Sequence, residues 1–95
     1  MGDIEFEWDE EKAKLNLAKH KVSFEEAATV FHDLLVATVP DPDHSEAEDR
    51  FLALGQSSRG KILVVSFTER YGRTRIISCR TAKAGERKAY EEEGL

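Results

Sequence analysis

The chain has 95 residues, of which 40% are hydrophobic and 35% are charged. This size and composition exclude a disordered protein and predict one domain over residues 1–95, built as a sheet covered by helices. No apolar run is long enough to cross a bilayer, and the first residues lack a signal-peptide pattern. The single cysteine, Cys79, excludes an internal disulfide and favours a reducing, cytoplasmic location, with no membrane as partner.

The net charge of −5 is the sum of an acidic first half and a basic second half of the chain. Residues 1–49 carry 14 acidic side chains and four lysines, whereas residues 50–95 carry ten Lys and Arg and five Glu. The second half would therefore attract a polyanion and much of the first half would repel it, and the acidic half could equally meet a basic partner. Two solvated faces of opposite sign are the simpler alternative.

The N-terminal segment predicts a short strand followed by a helix. Apolar and acidic residues alternate over Ile4–Trp8, as in a strand with one wet face. Asp9 can then cap a helix that continues to about His20. The spacing predicts that its core-facing residues are Leu15, Ala18 and Val22. A second stripe at the same spacing consists of Lys12, Asn16, Lys19 and His20.

A capping box at Ser23–Glu26 predicts a second helix that ends near His32-Asp33. Residues Leu35–Val39 then favour a strand, and Pro40–Ser45 a polar loop. Asp41, Asp43 and His44 in that loop are a poor metal set, because the paired prolines and the missing downstream ligands do not fit a calcium loop. We therefore expect no metal and no cofactor.

Three further strands are predicted over Arg50–Gly55, Lys61–Glu69 and Arg73–Arg80. Short turns separate them, so an antiparallel meander with Ile62–Val65 at its centre is the simplest arrangement. A last helix over Ala82–Glu92 has few apolar residues and should be the least tightly docked element. The expected fold is α+β: an antiparallel sheet of about four strands with a short N-terminal strand, two N-terminal helices and one C-terminal helix.

Arginines are concentrated on the third of these strands. Alternation places Arg73 and Arg75 on one face, and Arg80 on the other face with Ile76 and Ser78. Arg73 and Arg75 should pair with acidic neighbours on a wet face. Arg80 ends a largely apolar strand, where a purely structural arginine is less expected, and guanidinium groups bind phosphate. Arg80 is therefore the better candidate for a functional role.

Two other pairs are candidates for chemistry. Lys19 and His20 end the first helix, where the helix dipole favours a cationic histidine that can act as an acid or contact phosphate. Glu86 and Tyr90 are one helical turn apart and could supply a base and a hydroxyl donor. The alternatives are an ordinary helix C-terminus for the first pair and a solvated helix surface for the second.

The chain carries two blocks of motifs. The first consists of Phe6–Lys12, Asn16, Lys19–Phe24, Ala27 and Val30-Phe31. The second consists of Arg50-Phe51, Gly55, Leu63–Val65, Thr68–Arg70, Arg75–Arg80, Ala82, Glu86-Arg87 and Tyr90. Together, in this order and over nearly the whole chain, they resemble the BrnT family of toxins.

The resemblance implies a RelE-like α+β ribonuclease that inhibits growth and is neutralised by a ribbon-helix-helix antitoxin of the BrnA type. The toxin–antitoxin complex would repress its own operon, with operator DNA contacted only through the antitoxin. Such enzymes cleave RNA without a metal, using the 2′-hydroxyl of the substrate as the nucleophile.

The resemblance also implies roles for individual residues. Arg80 would clamp the scissile phosphate, and Arg70 and Arg50 would contact further phosphates. Lys19 and His20 would supply an acid or another phosphate contact. The last helix would contribute Glu86 and Tyr90.

Three positions depart from the family pattern. Lys21 stands where the family usually has Gly, Cys79 replaces a small residue, and Ala84-Gly85 replaces a basic pair. The last change reduces the positive charge near the proposed site. The alternative function is therefore a catalytically weak or inactive RelE-like module that only binds its antitoxin. Direct DNA binding is disfavoured, because neither N-terminal helix carries the Arg and Asn of a recognition helix.

Overall fold

The computed structural model describes residues 3–43 and 49–93, which form a five-stranded sheet with helices on both faces. The strands are β1 (Phe6–Glu7), β2 (Ala37–Pro40), β3 (Arg50–Gln56), β4 (Ile62–Arg70) and β5 (Arg73–Thr81). The helices are α1 (Glu10–His20), α2 (Phe24–Thr29) and α3 (Ala84–Glu93), with a 3₁₀ helix at Val30–His32. The spatial order is β1-β5-β4-β3-β2, and only the β1–β5 pair is parallel. The predicted α+β fold is confirmed.

The capping residues fix the first helix as predicted. The Asp9 carboxylate accepts hydrogen bonds from the backbone N–H groups of Glu11 at 2.8 Å and Lys12 at 3.2 Å. At the other end Lys21 takes the left-handed conformation with φ 61°, and its N–H donates to the Leu17 carbonyl. A lysine therefore occupies the conformation for which glycine is usual.

The face that α1 buries differs from the prediction. Leu15 is 68% exposed, Ala18 is exposed, and the buried residue of the helix is Asn16 at 7% exposure. The amide of Asn16 can be buried because all of its polar atoms find partners in the backbone of β5 and the α1–α2 turn. Val22 is in the core as predicted, at 1% exposure, but it lies beyond the end of the helix.

The core lies between α1, α2 and one face of the sheet, which we call the helix face. Strands β3, β4 and β5 line it with alternating apolar residues, and the helices cover them. The buried cluster consists of Val22, Phe24, Ala27, Val30, Ala53, Leu63, Val65, Phe67, Ile76 and Cys79.

A β-bulge in β5 reverses the predicted facing of Arg80. Ser66 pairs with Ser78 while Phe67 pairs with Ile76, so Ile77 is an extra residue in β5. Strict alternation put Ile76 and Arg80 on one face, and this prediction is wrong because the extra residue shifts the alternation by one.

The opposite face of the sheet, which we call the open face, carries three rows of cross-strand neighbours. Directly paired residues of antiparallel strands point to the same side. The rows are Arg50–Thr68–Arg75, Leu52–Ser66–Ser78 and Leu54–Val64–Arg80. Arg75 and Arg80 therefore share a face, contrary to the prediction.

Helix α3 lies against β3 at one end of the open face. Ala89 and Tyr90 line a cavity together with Leu54. None of the residues of α3 is buried, as expected for a helix with few apolar side chains.

The second helix begins as predicted, but only half of the capping box forms. The Ser23 Oγ accepts from the N–H of Glu26 at 3.0 Å. The Glu26 carboxylate instead accepts from the hydroxyl of Ser57 at 2.7 Å and is buried at 8% exposure. This bond ties α2 to the β3–β4 turn, so the reciprocal half of the capping box is wrong.

The segment after the 3₁₀ helix differs from the prediction only at its ends. β2 starts at Ala37 rather than Leu35 and includes Pro40. Asp41 is buried at 6% exposure, and its carboxylate accepts from the N–H of Asp43 at 3.0 Å. His44 and Ser45 of the predicted loop lie outside the described residues.

None of the described helices is long and apolar enough to cross a membrane.

Candidate active site at the end of β5

Arg80 and Glu86 form a bidentate ion pair between β5 and α3. The two guanidinium nitrogens lie 2.8 and 2.9 Å from the two carboxylate oxygens. Glu86 also accepts from the N–H of Lys83 at 2.8 Å, the contact of a helix-capping glutamate in the first turn. The capping geometry of α3 therefore places the carboxylate that orients Arg80.

The ion pair keeps both groups charged. The hydrogen bond from Arg80 lowers the pKa of Glu86 to about 2 against the opposing effect of burial, and the same bond raises the pKa of Arg80. A carboxylate with so low a pKa is a weak base. In this arrangement Glu86 is suited to hold the guanidinium in place rather than to take a proton.

A cavity of about 240 Å³ opens beside Arg80. It is lined by His20, Leu52, Val64, Ser66, Ser78, Cys79 and Arg80. The structure thus brings together two of the predicted site residues, His20 from the end of α1 and Arg80 from the end of β5.

Asn16 holds the end of α1 against β5, a role that was not predicted from the sequence. Its side-chain N–H group donates to the carbonyls of Cys79 at 2.9 Å and Val22 at 3.1 Å, and its oxygen accepts from the Cys79 N–H at 3.1 Å. His20 lies one helical turn beyond Asn16, so this anchor also places the imidazole. The sequence feature that could have indicated this role is the position of Asn16, one helical turn before Lys19 and His20.

Two other predicted residues lie outside this cavity. Lys19 precedes His20 but is exposed and does not line the cavity. Tyr90 donates from its hydroxyl to Asp33 at 2.5 Å, and partial burial together with this bond raises its pKa to about 12. Tyr90 is therefore neutral and connects α3 to the segment before β2.

Arg50 and Arg70 lie towards the other end of the open face. Arg50 pairs with Thr68, and Arg70 ends β4 and is exposed. Arg70 lies six positions further along β4 than Val64, the cross-strand partner of Arg80, which is about 20 Å at the rise of a strand. One phosphate group cannot contact both Arg70 and Arg80.

The remaining arginines of β5 pair with acidic residues as predicted. Arg75 lies 3.0 Å from the Glu7 carboxylate, and Arg73 lies 3.6 Å from Glu5 and 3.8 Å from Glu7. The acidic face of the first strand thus neutralises this part of the open face.

The lone thiol and the acidic loop residues are the two remaining candidate features. Burial, together with the charge of Glu26, raises the pKa of Cys79 to about 12, so this side chain is a packed thiol. Within residues 3–43 and 49–93, no group of three or more His, Cys, Asp or Glu side chains is placed to hold a metal ion.

Comparisons with known proteins agree with this architecture. The family model described as "Ribonuclease toxin, BrnT, of type II toxin-antitoxin system" matches residues 8–86. The crystal structure of the Brucella abortus ribonuclease toxin BrnT is similar with a TM-score of 0.63 and 28% identity, over 85% of this chain and 99% of that chain. No curated protein matches the chain. The match to the family model includes Asn16, His20, Arg80 and Glu86 but ends before Tyr90.

Proposed function

The chain belongs to the BrnT family of ribonuclease toxins of type II toxin–antitoxin systems, and we propose that it cleaves RNA at the cavity beside Arg80. Membership of this family implies an RNA substrate and a protein antitoxin as partner. The observation that carries the proposal is the placement of Arg80 and His20 around one cavity, with Arg80 oriented by Glu86.

Arg80 is suited to bind the scissile phosphate. Its guanidinium is fixed in a geometry that offers two parallel N–H donors, and a phosphate presents oxygens that match this fork. Because Glu86 accepts from Nη1 and Nη2 of Arg80, the two donors that a phosphate would meet are those of the Nε–Nη2 edge, which Glu86 does not occupy. The positive charge then stabilises the negative charge that develops on the phosphate oxygens during cleavage.

The proposed reaction uses the 2′-hydroxyl of the RNA as the nucleophile. Its oxygen forms a bond to phosphorus while the bond from phosphorus to the 5′-oxygen breaks, leaving a 2′,3′-cyclic phosphate and a 5′-hydroxyl. One proton leaves the 2′-oxygen and one reaches the 5′-oxygen. We assign proton transfer to His20, because an imidazole has nitrogen atoms that can accept and donate a proton and this one lines the same cavity as Arg80. This route needs no metal.

The other predicted residues receive supporting roles. Arg50, Arg70 and Lys19 would contact phosphates of nucleotides further from the cleaved bond, because they lie outside the cavity. Tyr90 would hold α3, and thereby Glu86, in position through its bond to Asp33.

The partner is proposed to be a ribbon-helix-helix antitoxin that joins this chain in repressing their operon. The excess of acidic residues in residues 1–49 would attract a basic antitoxin surface. The cytoplasm is the proposed location, because RNA is present there and its reducing conditions suit the lone thiol of Cys79.

The test is induction of the chain alone in a bacterial host, beside Arg80→Ala and beside the chain co-expressed with its antitoxin. We expect growth arrest with RNA cleavage that Arg80→Ala abolishes and the antitoxin reverses. The purified protein should cleave RNA in excess EDTA, which checks the metal-free route. Full cleavage by a folded Arg80→Ala variant would refute the role of Arg80. Normal growth with folded wild-type protein would favour a module that only binds its antitoxin.

A further inference from the structure

Ser66 and Ser78 present two hydroxyl groups side by side on the open face. They are direct cross-strand partners, and both line the cavity beside Arg80. Ser66 is half-buried and Ser78 is exposed, and neither hydroxyl has a hydrogen-bond partner among the described residues, so both are available to a ligand. The bulge at Ile77 aligns Ser78 with Ser66 on this face.

The wall next to this pair is apolar. Leu52 is the direct partner of Ser66 on β3, and Val64, which is 7% exposed, lies two residues before Ser66 on β4. The cavity of about 240 Å³ has room for about eight water molecules at about 30 Å³ each. A pyrimidine base has about eight heavy atoms, so the cavity is large enough to admit one base.

The combination of paired hydroxyls and an apolar wall fits a nucleobase. A serine hydroxyl both donates and accepts hydrogen bonds, so two of them can match the mixed edge of an unpaired base. Proteins that bind an unstacked base read its edge by such bonds while aromatic or apolar side chains contact its faces. Inorganic phosphate alone would gain nothing from Leu52 and Val64.

The distance from the Ser66–Ser78 pair to Arg80 is about the length of one nucleotide. Arg80 pairs with Val64, and Ser78 pairs with Ser66, two residues further along the strands, which is about 7 Å. A phosphate held by Arg80 would therefore have the base of its own or the adjacent nucleotide within reach of the two hydroxyls.

We propose that Ser66 and Ser78, with Leu52 and Val64, form a nucleobase subsite that determines which base stands beside the cleaved phosphate. The inference rests on the proposed ribonuclease function, since the subsite shares its cavity with Arg80. It assigns to the two serines a selectivity role that is separate from the stabilisation of charge by Arg80.

The first experiment maps the cleavage sites of the full chain on a mixed-sequence RNA. Wild type is compared with Ser66→Ala and Ser78→Ala, and with Ser58→Ala as the matched control, because Ser58 is exposed in the β3–β4 turn. We expect the ratio of cleavage at the favoured base to that at the least favoured base to fall at least threefold in both cavity variants and to stay unchanged in the control. An unchanged ratio in both cavity variants, with folding verified by circular dichroism, would overturn the proposal.

The second experiment separates the subsite from the reaction. Each of the four nucleoside 3′-monophosphates, and inorganic phosphate, is titrated into the ¹⁵N-labelled full chain, and the amide signals are followed. We expect one nucleotide to shift Ser66 and Ser78 more than phosphate does. That result without RNA cleavage would support the subsite and contradict the proposed function. Cleavage with nucleotides that shift only the residues that phosphate shifts would refute the subsite and leave the function standing.

Discussion

The side chain of Asn16 satisfies both backbone groups of Cys79, accepting from its N–H at 3.1 Å and donating to its carbonyl at 2.9 Å. A single amide on α1 thereby holds the strand residue next to Arg80. The contact links residues 63 positions apart. The same helix carries His20, so one buried side chain fixes the relative position of the two groups to which we assign the chemistry.

Replacing Asn16 with alanine should destabilise the fold by roughly 2–3 kcal/mol, because buried backbone groups of Cys79 lose their partner. Urea unfolding of the purified variant measures this change. Lys14→Ala is the matched control on the exposed side of α1 and should change stability by less than about 0.5 kcal/mol. Equal stabilities of Asn16→Ala and wild type would show that the amide does not hold β5.

Lys21→Gly should stabilise the protein by about 0.5–1 kcal/mol, although it removes a side chain. Lys21 has φ 61°, where a residue with a Cβ is strained by roughly 1–2 kcal/mol and glycine is not. Part of this gain is lost, because glycine has more conformational freedom in the unfolded chain, and because the Lys21 ammonium donates to the Ala18 carbonyl at 3.0 Å.

Thermal unfolding checks this prediction, with Lys14→Gly as the control within α1. That substitution should destabilise by about 1 kcal/mol, because glycine is unfavourable inside a helix. The two glycine variants are therefore expected to change stability in opposite directions. A loss of stability in Lys21→Gly similar to that in Lys14→Gly would contradict the strain at residue 21.

The elements that the sequence predicted correctly are those whose signals are local. Asp9 and Ser23 cap helices through bonds to residues two or three positions away, and such spacings are visible in the sequence. The pairing of Arg73 and Arg75 with acidic residues was also predictable, because opposite charges on neighbouring strands pair on a solvent-exposed face of a sheet.

The features that the sequence did not reveal depend on distant partners or on one extra residue. Leucine looked a better core residue than asparagine at positions 15 and 16, because the bonds of Asn16 are made with a strand far along the chain. The bulge at Ile77 leaves no mark in the alternation pattern, yet it decides which arginines share a face with Arg80. The sequence therefore offered candidate residues but not their arrangement: His20 and Arg80 line one cavity, whereas Lys19 and Tyr90 lie outside it.

Tyr90→Phe should loosen α3 without removing the proposed chemistry. The substitution deletes the hydrogen bond to Asp33, and α3 has no buried residue to compensate. We expect faster hydrogen exchange over 84–93 than in wild type, measured by mass spectrometry. RNA cleavage should fall by less than about tenfold, whereas loss of a general acid costs about 100- to 10,000-fold. A loss of that larger size would place the Tyr90 hydroxyl in the reaction itself.

Glu86→Gln should weaken RNA cleavage and remove one source of pH-dependent stability. The amide cannot form the bidentate ion pair with Arg80, so the guanidinium is less well oriented, and we expect roughly tenfold slower cleavage. The pKa of Glu86 is about 2 in the fold, below its ordinary value of 4.5. A depressed pKa contributes stability above the ordinary value, and this contribution is lost as the pH falls from about 4.5 to about 2.

Urea unfolding at pH 7, 4 and 2.5 tests the sign of this effect. Wild type should exceed Glu86→Gln in stability at pH 7, by less than about 1 kcal/mol because the pair is about one third exposed. The difference should be slightly smaller at pH 4 and about a quarter of its pH 7 size at pH 2.5. Glu91→Gln, at an exposed position of the same helix, should show no such trend. A difference that grows as the pH falls would mean that Glu86 is not held ionised by Arg80, and its role in positioning the guanidinium would have to be abandoned.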